Sequence, residues 1–75
     1  MTTTVKKEKT LPKYAKFIIE CREKNCMRQR ELADALDTSY QIVSRWENGT
    51  NRPAYDSAKK LAAVFGEPAY KFREE

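Results

Sequence analysis

Residues 29–49 read Gln29-Arg30-Glu31-Leu32-Ala33-Asp34-Ala35-Leu36-Asp37-Thr38-Ser39-Tyr40-Gln41-Ile42-Val43-Ser44-Arg45-Trp46-Glu47-Asn48-Gly49. Their apolar letters fall into two short sets. Leu32, Ala33 and Leu36 share one helical face, and Val43 and Trp46 share another. Asp37 and Thr38 between them are turn residues. Ser39 offers a hydroxyl that can accept a backbone N–H at the start of a helix. Gly49 suits the left-handed conformation that ends one. The spacing therefore predicts a helix over 29–36, a two-residue turn, and a helix over 40–48. Glu31 supplies the acidic half of a capping box for the first of these, and Met27 with Leu32 a hydrophobic staple.

Two helices this short, joined by so tight a turn, have the geometry that presents the second helix to a DNA major groove. Ala33 sits where the two cross, a place at which a larger side chain would push them apart.

Upstream, Tyr14, Phe17, Ile18 and Cys21 recur at helical spacing and predict a helix over 11–24. Thr10 is its expected cap, Pro12 lies in its first turn, and Asn25 tolerates the left-handed position at its end. Downstream, residues 49–53 read as a loop. Tyr55, Ala58, Leu61, Ala62 and Phe65 predict a helix over 55–65, stopped by Gly66. Pro68 opens a short fifth segment, with one of Tyr70 and Phe72 expected in the core and the other at a dimer interface. Residues 1–10 lack periodicity and read as a flexible basic arm before a domain over 11–75. No strand-like alternation and no repeat is present. The expected fold is all-α, a compact five-helix domain.

The composition agrees. The chain has 75 residues, 40% apolar and 35% charged, with 2 Gly. That is one small helix-rich domain. No apolar run approaches the roughly 20 residues that cross a bilayer. The polar first residues do not resemble a secretory signal, so a cytoplasmic, nucleoid-associated protein with no membrane partner is expected. With no histidine, there is neither an imidazole base nor a Cys/His zinc set, and no Gly-rich phosphate loop is present. Neither an enzyme nor a cofactor is expected. Cys21 and Cys26 read as buried or half-buried thiols in a reducing compartment.

The net charge is +4, unevenly placed. Residues 1–10 carry Lys6, Lys7 and Lys9 against Glu8. Residues 11–30 carry six basic side chains against Glu20 and Glu23. The stretch 31–54 has an acidic excess, with Arg45 and Arg52 against Glu31, Asp34, Asp37 and Glu47. The positive end suits DNA phosphates, or else a solvated helix face and a solubilising tail. Lys6 and Lys7 are the arm residues expected at phosphates.

Taken together, Gln29-x-x-Leu32-Ala33 and Ser39-x-x-x-Val43-Ser44-x-Trp46-Glu47-Asn48-Gly49, followed by Arg52-Pro53, resemble the XRE-type, lambda-repressor-like family of phage repressors and Cro proteins. The resemblance covers residues 14–72. It implies a five-helix domain that binds double-stranded operator DNA, usually as a homodimer. By position it implies groove-facing roles for Tyr40, Gln41, Ile42, Ser44 and Arg45. It places Asn48 and Arg52 at phosphates, and Gln29 at the backbone, where it can also brace the recognition helix. Arg22 and Glu47 match a structural ion pair. Ser39, at the helix start, is counted with the phosphate contacts. Three positions depart from the family pattern. Arg28 replaces a Thr/Ser cap, leaving its charge able to reach a phosphate; Asp37 replaces a turn glycine; Ala54 replaces a serine cap.

Arg45 can read guanine and Gln41 adenine. Ile42 is either a flank of the core or an apolar contact to a thymine methyl. The function expected is a sequence-specific regulator, most simply a repressor on a pseudo-palindromic operator. The alternative is an antitoxin-type module that binds a protein partner and also its own promoter; 75 residues leave little chain for a partner-wrapping segment.

Overall fold

A computed structural model describes residues 11–75. Four α-helices run Lys13–Lys24 (α1), Gln29–Ala35 (α2), Tyr40–Glu47 (α3) and Tyr55–Phe65 (α4). The fifth segment, Ala69–Arg73, is a 3-10 turn rather than an α-helix. It holds five residues behind Pro68, and Lys71 N–H bonds back to the Pro68 carbonyl at 3.2 Å. Such i to i+3 closure suits so short a piece. The described residues form no strand. The arm expected over residues 1–10, with Lys6, Lys7 and the Thr10 cap, lies outside the described residues.

One core joins every element. It contains Tyr14, Ala15, Ile18 and Cys21 of α1, Leu32 and Ala33 of α2 with the following Leu36, Val43 and Trp46 of α3, Ala58 and Leu61 of α4, and Phe72. Phe72 is fully buried and Tyr70 is 62% exposed, which decides which of the two is core. Phe72 packs between Phe17, tilted to it at 4.9 Å, and Phe65, stacked at 6.1 Å. Met27 packs half-buried against the cluster that contains Leu32. Burial pushes the Cys21 thiol above its ordinary pKa, with Glu67 adding to the effect, so this sulfur behaves as a small hydrophobe. Cys26 is exposed, contrary to the expectation that both thiols would be covered.

Three helices end in the same way. After α1, Cys26 N–H bonds to Glu23 O and Met27 N–H to Arg22 O, both at 3.0 Å. After α2, Asp37 N–H bonds to Asp34 O at 3.1 Å and Thr38 N–H to Ala33 O at 2.9 Å. After α3, Gly49 N–H bonds to Trp46 O at 3.1 Å and Thr50 N–H to Arg45 O at 2.9 Å. This paired closure requires a left-handed residue at its corner. The corners are Cys26 (φ 56), Asp37 (φ 58) and Gly49 (φ 78). At the first corner the sequence pointed one residue too early. Asn25 stays at φ −96, and its side-chain amide instead donates to Cys21 O at 2.7 Å. Cys26 and Asp37 each carry a Cβ into a region that disfavours one by about 1–2 kcal/mol.

Pro12 is the N-cap of α1, not a residue of its first turn, and it provides no side-chain hydrogen bond. The exposed donors of α1 are met from the far end of the domain. Tyr14 N–H bonds to Glu74 O at 2.8 Å and Lys13 N–H to Glu75 O at 3.4 Å. Pro12 also abuts the turn after α3: a Cβ on Gly49 would stand 2.7 Å from Pro12 Cδ. Gly49→Ala therefore meets both a left-handed backbone and a rigid ring. It should cost about 2 kcal/mol or more and lower the melting temperature by about 10 °C or more. A thermal melt followed by circular dichroism checks it; an unchanged midpoint would mean the two segments part without cost.

Candidate nucleic-acid interface

The orientation of α3 follows from its sequence. Val43, Trp46 and Glu47 are buried. At i, i+3, i+4 and i+7, Gln41, Ser44, Arg45 and Asn48 line the opposite face; Ser44 is partly covered and the other three are exposed. Tyr40, 39% exposed, stands on the edge nearer Glu47 and α2. Ile42 stands on the other edge, half-buried against the core, and so does not share the centre of the face with Gln41 and Arg45.

Ser39 Oγ accepts the Ile42 N–H at 3.4 Å and so caps α3. Its hydroxyl hydrogen remains available to an acceptor outside the protein. Ala33 is buried at the contact between α2 and α3, as its position at their crossing implies.

Glu47 fixes α3 in place. Its Oε2 accepts from Arg22 Nε at 2.7 Å, and its Oε1 accepts from Arg22 Nη2 at 3.0 Å and Gln29 Nε2 at 3.0 Å. Arg22 also donates through Nη1 to Met27 O at 2.9 Å. One carboxylate thus ties α1, the start of α2 and the end of α3. The two-pronged bond holds the Arg22 guanidinium above its ordinary pKa despite partial burial. Gln29 is a brace in this geometry, and its amide is half-covered.

Arg28 occupies the N-cap of α2. A guanidinium cannot accept a backbone N–H, so its side chain makes no cap bond. The other half of the box is present: Arg28 N–H donates to Glu31 Oε1 at 2.7 Å. The Arg28 side chain is left exposed beside the start of α2. Arg52 is engaged with the end of the domain. It donates to Arg73 O at 3.5 Å and lies 3.4 Å from a Glu75 carboxylate oxygen. That pair is exposed and worth no more than about 1 kcal/mol, so a phosphate can displace it. Among the described residues the ion pairs are Arg22–Glu47 and Arg52–Glu75. Arg28 and Arg45 take part in neither.

One contact has no signature in the spacing. Arg30 lies over the Tyr40 ring, its guanidinium carbon 4.8 Å from the centroid. The residues sit on different helices, on either side of the turn, so no helical periodicity relates them.

The comparison with known families decides what this arrangement is. A family model described as helix-turn-helix matches residues 18–72, most of the chain and all of α2, the turn and α3. The chain belongs to the XRE-type helix-turn-helix family. It is a DNA-binding transcription regulator of that type, in a family that is not normally enzymatic. No curated protein matches the chain. Among the described residues of this XRE-type chain, no helix is long and apolar enough to cross a membrane, and no group of side chains could hold a metal.

Proposed function

We propose that this regulator is a repressor that lays α3 in the major groove of a pseudo-palindromic operator, two copies reading two half-sites. The face of Gln41, Ser44 and Arg45, opposite buried Val43 and Trp46, carries the reading. Arg45 reads guanine and Gln41 reads adenine, each through paired hydrogen bonds. Ser44 and Tyr40 add contacts at the centre and edge. Ile42 gives the thymine methyl only the part of its side chain that the core leaves uncovered. Arg28, Gln29, Ser39, Asn48 and Arg52 set the protein on phosphates, and Lys6 and Lys7 of the arm add to them; such contacts position the domain without choosing sequence. The protein would work in the cytoplasm, associated with the nucleoid.

The test is selection of bound DNA from a random library. A two-fold consensus with half-site centres about 34–36 Å apart is expected. Arg45→Ala and Gln41→Ala should each relax one base position, by about 1–3 kcal/mol. Uniform weakening on all sequences would remove the base-reading roles. A protein partner, as in an antitoxin, is the second reading. Its support is that Tyr55, Val64 and Tyr70 are exposed on α4 and the 3-10 turn, and a library that enriches nothing would favour it.

A further inference from the structure

The side of α2 near the start of α3 has a residue that none of these roles uses. Arg30 is exposed on the first turn of α2 and stacks on Tyr40, the first residue of α3. It joins neither of the two ion pairs among the described residues. The two side chains help line an open groove together with Ala33, Asp34, Ser39 and Gln41. A guanidinium over a ring is attracted to the ring face, and its several N–H groups can still donate to a further acceptor. The stack also limits the orientations open to a half-exposed tyrosine.

We infer that Arg30 is a positioning residue for base reading, holding Tyr40 at the edge of the reading face while its N–H groups grip a backbone phosphate. The inference rests on the DNA reading above. It assigns Arg30 two separable effects. The charge contributes one phosphate contact, and so about one unit of the salt dependence of binding. The contact with the ring sharpens the base preference at the position Tyr40 touches. Lysine can supply the first effect in full but the second only in part, because an ammonium over a ring is a point charge without the planar guanidinium's hold on its orientation.

The experiment uses the whole chain in four forms: wild type, Tyr40→Ala, Arg30→Gln and Arg30→Lys. Each is taken through the random-library selection, a salt titration on the wild-type consensus, and a thermal melt. Tyr40→Ala identifies the base position that Tyr40 governs. Arg30→Gln should relax that same position about fivefold or more and lower the slope of log affinity against log salt by about one. Arg30→Lys should keep the slope and still relax the position. All four should melt together, since both side chains are exposed.

Three results would overturn the inference while leaving the DNA reading standing. They are an Arg30→Gln protein with wild-type slope and consensus, an Arg30→Lys protein matching wild type in both, and a loss spread over every position with a lowered melt. A wild-type protein that enriches no sequence overturns the DNA reading itself, and this inference with it.

Discussion

Glu47→Ala should destabilise the domain by about 3 kcal/mol and, through that loss, weaken DNA binding on every sequence alike. The carboxylate receives two bonds from Arg22 and one from Gln29. Its removal strands a guanidinium whose side chain is only 15% exposed. Breaking a buried pair from one side costs about 3–5 kcal/mol, and the residual exposure of Arg22 argues for the lower end. A domain of this length has only about 4–11 kcal/mol of total stability, so the melting temperature should fall by roughly 15 °C. A urea or thermal melt measures it. The double change Arg22→Met with Glu47→Leu should recover much of the stability, because it leaves no charge unpaired. A Glu47→Ala protein that melts with the wild type would mean that core packing alone holds α3.

Phe72→Ala should cost about as much by a different route. The ring is fully buried between Phe17 and Phe65 and lies where the 3-10 turn meets α1 and α4. Truncating a buried phenylalanine typically loses about 3–5 kcal/mol, from transfer and from the cavity left behind. Tyr70→Ala, two residues away, should change stability by no more than about 0.5 kcal/mol, since its side chain is largely in water. Equilibrium unfolding of the pair is the measurement. Equal effects would show that the turn does not hold the orientation seen here.

The difference between those two aromatics marks where the sequence stops being readable. Periodicity placed the faces of α1 to α4 because each repeats its pattern over two or more turns. It could not choose between Tyr70 and Phe72, because a five-residue segment holds less than two turns. The corners were legible where glycine marks them and not where Cys26 does. The hydrogen bonds that force a left-handed residue there run from the N–H groups of Cys26 and Met27 to the carbonyls of Glu23 and Arg22, and nothing in the cysteine announces them. Ile42 was ambiguous for a further reason. It flanks the reading face, and only packing shows how much of it the core takes. Resemblance supplied the partnership of Arg22 and Glu47, twenty-five residues apart, which no local spacing contains. It could not supply the Arg30–Tyr40 stack, which depends on how these two helices cross.

The first donors of α1 are met by the carbonyls of Glu74 and Glu75, and Phe72 closes beneath the same helix. This arrangement ties the start of the domain to its far end during folding. The N-terminal end of α1 gains these two bonds only when residues 74 and 75 have folded back onto it. Joining contacts so far apart in sequence carries the loop-closure entropy of nearly the whole domain. Arg22, which anchors the recognition helix through Glu47, lies on that first helix. A chain in which residues 72–75 are not docked therefore has all the letters of the helix-turn-helix but a less firmly held brace behind it.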